Sequence, residues 1–443
     1  MRRQNEPDTK AKKSRFPRTL AALIGIPLLM VVGAIALYSY HNRLSGINVP
    51  THAMPADNAY DDFVKAGHLA QAMPHKSPYS LPGPPQPIFT MANFAAAAKD
   101  AEPALTLLQQ GLNKPFLYPP IRSNADSNWS ELAGFRELAR TVSGVATYEE
   151  RAGHPDQAME TRLDGIQMGI MIPRGGGTMP CLVGIACEAI AASKIERLLP
   201  QLSPQELAHA AERLNKITSM RTPLSETVIE SGYEYTAWNL EFLRDRSDKG
   251  LTHVATVRQI ISPNAAQDAP LQWQERWQIY RFFFSDKIGM LHTNLDYYKA
   301  RAREIDEPYT GKAAVEVPDN LLAKISDYDN FMHLQTSYAR MQTVEAILQT
   351  EIALYRYRVE QGRYPSSLAE LTPNYLPSVP DDPFGGKTGV PLHYQVKTQG
   401  RSFLLYSLGP DLKDDGGKPQ LRSGNDPGDI VAGQLWPGAN SRY

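Results

Sequence analysis

Hydrophobic positions follow three rhythms along this chain: an unbroken run near the start, recurrences at threes and fours through the middle, and alternation near the end. The unbroken run covers 19–40, which holds no charged residue and whose centre, Leu20 to Leu37, is Leu, Ile, Val, Ala, Met and Gly around the single Pro27. About twenty such residues at roughly 1.5 Å each cross a hydrocarbon layer. Arg2, Arg3, Lys10, Lys12, Lys13, Arg15 and Arg18 precede it against only Glu6 and Asp8, an excess that keeps the N-terminus in the cytoplasm. Tyr38, Tyr40 and Arg43 follow as anchors for the outer interface. The expectation is a single-pass protein of the bacterial inner membrane, with a basic cytoplasmic tail over 1–18, a transmembrane helix over 19–40 and its bulk outside the cytoplasm. Ala34-Ile35-Ala36 imitates a signal-peptide cleavage site, but the run is longer than the roughly 7 to 15 residues of a signal core, which favours an uncleaved anchor. Either way the remainder is exported.

Beyond the anchor, 41–89 reads as a proline-rich approach, and Pro74, Pro78, Pro82, Pro84, Pro85 and Pro87 make 72–88 a linker or wrapping loop. Helical periodicity then dominates 90–326. Phe94, Leu105, Leu107, Leu108 and Leu112 lie on alanine-rich helical sequence, and Trp129, Leu132, Phe135, Leu138, Val142 and Val145 repeat at the spacing of one buried face. The turn Gly153-His154-Pro155 leads into a third helix through Ala158, Leu163 and Met168. A helix through Ile185, Ala189, Ile190, Ile195 and Leu198 is expected to end at Pro200. Ser203-Pro204-Gln205-Glu206 then provides a cap, a proline at the first helical position and a reciprocal glutamate, ahead of Leu207, Ala211, Leu214 and Ile217. The hairpin around Gly153 and Ala158 resembles one tetratricopeptide unit over about thirty residues. No second copy follows at the expected period, so ordinary helix packing is the competing reading. Tyr233, Tyr235, Trp238, Phe242, Trp273, Trp277, Tyr280, Phe282, Phe283 and Phe284 crowd the middle of this region. Helical spacing predicts that most are core, the alternative being a sticky surface for a partner or for the nearby bilayer.

The last part, 327–443, changes character. A long helix over 327–360 is signalled by Leu334, Tyr338, Met341, Val344, Leu348, Ile352, Tyr355 and Val359, and Gly362 and Tyr364-Pro365 stop it. Ser367 to Leu371 reads as a short helical turn, and alternation around 392–396 and 402–407 predicts two strands of a small antiparallel sheet laid on the long helix. The fold class expected is therefore mainly α, with a small α+β module at the end.

Several pieces of this module occur in a telling order: Ala353-Leu354-Tyr355 leading to Gly362-Arg363-Tyr364-Pro365, then Asp382-Pro383-Phe384-Gly385, then Tyr406-Ser407-Leu408-Gly409-Pro410-Asp411 and an acidic loop reaching Asp429-Ile430. In this the last hundred or so residues resemble the major pseudopilin of type II secretion systems. The resemblance implies a calcium ion in that loop, held by the Leu408 carbonyl, Asp411 and one or more of Asp414, Asp415, Asp426 and Asp429. The residues argue in the same direction. Five aspartates within nineteen positions repel one another unless solvated or neutralised, and a hard divalent cation with oxygen ligands relieves that repulsion. The spacing is not that of an EF-hand, and a solvated acidic turn is the alternative. The chain also departs from the family. A pseudopilin carries its apolar anchor at the start of this same helix, behind a peptidase site with glutamate at the fifth mature position. Here the anchor lies about three hundred residues upstream, and Met30 stands where Gly25 as a cleavage glycine would call for that glutamate.

Composition narrows the remaining choices. Hydrophobic residues at 42% and charged ones at 21% are globular values, and 46 basic against 47 acidic side chains leave no field to steer nucleic acid. Cys181 and Cys187 are too few for a disulfide scaffold and read as buried free thiols. No nucleophile elbow, phosphate loop, metalloprotease helix or dinucleotide fingerprint occurs, and Gly175-Gly176-Gly177, lacking a following Lys-Ser/Thr, reads as a flexible connection. No catalytic residue is assigned. The reading reached is a membrane-anchored exported protein, more non-enzymatic than enzymatic, with a calcium-stabilised module for contact with an envelope or secretion-system protein. Its alternatives are an exported hydrolase with its site in the helical domain and a peptide-binding helical-repeat module.

Overall fold

The computed structural model describes residues 27–36, 46–75, 90–123, 129–244, 270–312, 315–325, 330–420 and 428–435. The basic tail, most of the apolar run, the prolines from Pro78 to Pro87 and Asp426 lie outside them. The chain divides into two compact units, one of residues 1–47 and 243–292 and one of residues 48–242 and 293–443. It is mainly helical, with a small three-stranded antiparallel sheet.

The larger unit begins with a helix inside the proline-rich approach, α1 (Ala59–Ala72). Asn58 caps it, accepting from the Tyr60 amide at 3.2 Å, and pairs with both the amide and the carbonyl of Leu117. Ala59, Phe63, Ala66 and Ala70 are fully buried. Helices α2 (Met91–Gly111), α3 (Ser130–Arg151), α4 (Pro155–Met171) and α5 (Thr178–Ala192) follow. The α3–α4 hairpin turns at Gly153, whose φ of 89° suits glycine, and Pro155 opens α4 where no amide is needed. Small residues let these helices approach closely. A Cβ added to Gly67 of α1 would lie 2.8 Å from the carbonyl carbon of Gly134 on α3, and one at Gly169 of α4 would lie 2.8 Å from the carbonyl oxygen of Gly184 on α5.

Helix α5 stops at Ala192, earlier than the expected end at Pro200. Arg162 of α4, fully buried, donates to the carbonyls of Ala191 at 3.0 Å and Ser193 at 2.5 Å, and Lys194 then takes a left-handed conformation. A charge on the neighbouring helix thus closes α5 where the sequence pattern continues. The next helix, α6 (Pro204–Thr218), starts as predicted: Ser203 accepts from the Glu206 amide and Glu206 accepts from the Ser203 amide. Helix α7 (Leu224–Arg244) completes this part.

In the other unit, α8 (Trp273–Phe284) is followed by α9 (Lys287–Ile305), which runs on into the larger unit. After the short α10 (Leu321–Ile325) comes α11 (Asn330–Gln361), the predicted long helix. Leu334, Met341, Val344, Leu348 and Ile352 are buried on the expected face, but Ala339, Ile347, Ala353 and Leu354 are buried as well. Helices α5 and α6 pack against α11, and strand β2 touches it too. Gly362, at φ 74°, ends it.

The hairpin pairs β1 (His393–Lys397) with β2 (Ser402–Ser407) antiparallel, His393 opposite Tyr406 and Lys397 opposite Ser402. A third short strand, β3 (Ile430–Val431), joins the other edge of β2. Tyr364 and Pro365 dock on the hairpin, the Tyr364 amide donating to the Gly400 carbonyl at 2.9 Å and the Tyr394 hydroxyl to the Pro365 carbonyl at 2.8 Å. One hydrophobic cluster runs from α4, α5 and α6 through α11 to Phe384, Leu405 and Ile430.

The Gly67 and Gly134 contact yields a first prediction. Gly67→Ala forces the α1 and α3 backbones apart and should lower unfolding stability by about 1–3 kcal/mol in denaturant or thermal melts. An unchanged melt would mean that the two backbones do not touch.

Candidate functional site

The residues singled out in the acidic loop sit between β2 and β3. Asp382, on the loop before β1, is bonded to the start of that segment. Its carboxylate accepts from the Ser407 hydroxyl at 2.6 Å, the Phe384 amide at 2.9 Å and the Leu408 amide at 3.1 Å, so it ties the end of β2 to the Asp382-Pro383-Phe384-Gly385 turn. Burial raises its pKa, and the Ser407 hydroxyl and the two amides oppose that shift. Leu408 is therefore held in place through its amide.

Beyond it, the aspartates divide by what their oxygens do. Asp414 accepts from the Gly416 amide at 2.8 Å and the Tyr406 hydroxyl at 2.9 Å, which holds its pKa below the usual carboxylate range. His393 stacks on Tyr406 with ring centres 4.8 Å apart and lies 3.6 Å from Asp414. Asp429 reaches back across the loop, accepting from the Gly417 amide at 2.7 Å and the Asp415 amide at 3.3 Å. Its pKa is raised by burial, with the two amides pulling against that. Asp411 accepts from the Lys413 amide at 3.3 Å through one oxygen, while its Oδ2 is buried without a hydrogen-bond partner. The loop thus gathers Asp414, Asp415 and Asp429 through backbone amides, and Gly416 and Gly417, both at positive φ, make those amides available.

Among the described residues no group of three or more His, Cys, Asp or Glu side chains is arranged to hold a metal ion. The feature that fits a cation is the orphaned Asp411 Oδ2, because a buried carboxylate oxygen without a donor is costly.

A cleft of about 740 Å³ opens a short way from this loop, between the α6–α7 connection, the segment after α9, α11 and the Asp382 turn. Arg221 forms part of its lining. The Arg221 guanidinium pairs with Glu188 of α5 and, at 2.5 Å, with Glu345 of α11, and it lies 5.4 Å from the centre of the Tyr338 ring. Burial pushes the Glu188 carboxyl up, to about 7, against the pull of Arg221, while the two carboxylates keep Arg221 charged. Gln349 donates to the Thr218 hydroxyl at 3.2 Å and Gln335 to the Ile305 carbonyl at 3.2 Å, bracing the two walls of the cleft. Asp306, Glu307, Asp381 and Lys387 also line it. Charges of both signs and side-chain amides suit a polar chain or peptide. The lining includes no histidine, cysteine or serine, so it offers no nucleophile paired with a histidine base.

A second group of buried acids escaped the sequence reading. Gly175-Gly176-Gly177 is a tight turn rather than a loose connection: Gly175 has φ 78°, and a side chain at Gly177 would overlap the Glu234 carboxylate. Glu234 accepts from the Gly177 amide at 3.2 Å, at the start of α5, and its neighbour Glu230 pairs with Arg122 at 2.6 Å. Burial, reinforced by Glu230, pushes the Glu234 carboxyl up to about 8. Only the glycine run pointed here. Cys181 and Cys187 are buried free thiols, raised in pKa by desolvation.

Glu234 carries a pH dependence. An unfolded glutamate ionises near 4.5, the folded one near 8, so stability is fully present below about pH 4.5 and is lost as pH rises towards 8. Glu234→Gln keeps an acceptor for Gly177 without a charge to bury. It should exceed the parent chain in unfolding stability by on the order of 2–4 kcal/mol at pH 8 and by almost nothing at pH 4.5. Equal stability of the two chains at pH 8 would refute the raised pKa.

Compared with models of known families, with curated proteins and with solved structures, the chain matches none.

Proposed function

We propose that this is a membrane-anchored exported protein of the bacterial inner membrane, non-enzymatic, whose C-terminal pseudopilin-like module serves contact with another envelope or secretion-system protein. The observation that carries the anchor is the stretch Pro27–Ala36. It is an apolar helix in which Leu28, Leu29, Met30, Val31, Val32 and Ile35 are all more than half exposed. Contiguous apolar surface of that kind is stable in lipid and unfavourable in water. Among the described residues the run long and apolar enough to cross a membrane is Thr178–Arg197, but 61% of its most apolar part is buried among the other helices, as suits a core helix, while Pro27–Ala36 is the shorter, exposed apolar helix.

The module reading is supported by the long helix, the Tyr364-Pro365 stop and the hairpin with its acidic loop in the expected order. Calcium belongs to this reading through Asp411. A cation at its free oxygen, with the Leu408 carbonyl and further loop carboxylates among Asp414, Asp415, Asp426 and Asp429, would supply charge neutralisation and cross-link the loop. The cleft beside Arg221, with its mixed charges, is where a polar segment of a partner chain would sit.

Topology is read by fusing a reporter after Tyr443. A phosphatase that folds only outside the cytoplasm should be active there and a cytoplasmic reporter inactive, and the reverse pattern would end the export reading. Calcium is read by melting the full chain in calcium and in chelator. Calcium should raise the melting temperature by several degrees, and Asp411→Asn should remove most of that rise. An equal melt in calcium and chelator would reduce the loop to a solvated acidic turn.

A further inference from the structure

Helix α8 buries Phe282 but leaves three of its aromatic residues exposed, where the spacing predicted core. Trp273 is 73% exposed, Trp277 57% and Tyr280 56%. Spaced by four and three, they form one stripe. Trp277 and Tyr280 stack with ring centres 6.3 Å apart and planes within 14°, and Tyr280 meets Phe284 at 4.6 Å. The opposite face is buried, through Glu275, Ile279 and Phe282. At about 100° per residue, Arg276 and Arg281 fall on the two flanks of the aromatic stripe, and both are exposed.

We infer that α8 is an interfacial helix, lying in the headgroup layer of the membrane that holds the anchor, with Trp273, Trp277 and Tyr280 inserted at the acyl boundary and Arg276 and Arg281 on lipid phosphates. Three observations select lipid as the occupant. Tryptophan and tyrosine are the side chains that partition to the membrane–water boundary, because each joins an apolar body to a polar tip. Two arginines straddling the stripe complement anionic phosphates on either side of a helix lying flat. Helix α8 also belongs to the same compact unit as the exposed apolar stretch Pro27–Ala36, so the two surfaces that avoid water are parts of one body.

The inference rests on the membrane-anchored reading but can fail separately from it. Full-length chain is reconstituted in vesicles of phosphatidylethanolamine and phosphatidylglycerol whose acyl chains carry bromine either near the headgroup or near the bilayer centre. Tryptophan emission should be quenched more by the shallow bromine than by the deep one. The variant W273F/W277F, altered only at exposed positions, should lose most of that shallow quenching. R276E/R281E should lose the part that depends on phosphatidylglycerol. Washing the vesicles with alkaline carbonate reads the anchor independently. Retention after the wash with equal quenching in parent and W273F/W277F overturns the inference and leaves the anchor. Release on washing together with quenching that depends on Trp273 and Trp277 supports the inference and removes the anchor. Free quenching of the same two residues by aqueous iodide overturns the inference and assigns the stripe to a protein partner.

Discussion

The constraint on which the larger unit depends is the burial of α11 on more than one side. A surface helix needs a single apolar stripe, whereas α11 has Leu334, Met341, Val344, Leu348 and Ile352 buried along one line and Ala339, Ile347, Ala353 and Leu354 along another. With so little of the helix left to water, its polar residues must be satisfied internally. Thr343 and Thr350 donate to the carbonyls of Ala339 and Ala346, four residues back, and Glu345 meets Arg221. The same hydrophobic cluster then includes residues of α4, α5 and α6 and of the sheet.

Arg221 is the electrostatic counterpart of that packing. Its guanidinium stands between carboxylates that come from α5 and α11, and both are almost completely buried. Such a triad contributes little net stability against an apolar replacement, since three groups lose their hydration. It does penalise any arrangement in which one partner is missing, because an unpaired charge would be left in the interior. The helix register that brings Glu188 and Glu345 to one guanidinium is thereby favoured, and the cleft beside them inherits a defined wall.

The acidic loop and the cleft are positioned by that frame. Asp382 holds the end of β2, Tyr406 and His393 hold Asp414, and Asp429 closes the loop through the amides of Asp415 and Gly417. Asp411, Asp414 and Asp429 thus each accept from at least one backbone amide, and those donors partly relieve the repulsion that the crowding implies. At Asp411 one oxygen takes the Lys413 amide and the other, Oδ2, stays buried without a hydrogen-bond partner.

By itself the sequence determined whatever depends on near neighbours. The apolar run, the cap at Ser203 and Glu206, the long helix ended by Gly362 and the alternating hairpin were all legible, because periodicity, capping and glycine conformation act over a few positions. The two-sided burial of α11 was half legible: one line of apolar positions stood out, while the alanines of the other line look like ordinary helix formers. Only the tertiary structure decided that Arg221 meets a glutamate 33 positions before it and another 124 after it, or that Gly177 exists to admit Glu234. It also decided that α8 buries Ile279 and Phe282 and exposes its tryptophans, against the expectation from spacing. The reason is the same in each case. Helical spacing states that residues share a face, but which face is covered, and by which distant charge, is set by elements that are remote in sequence.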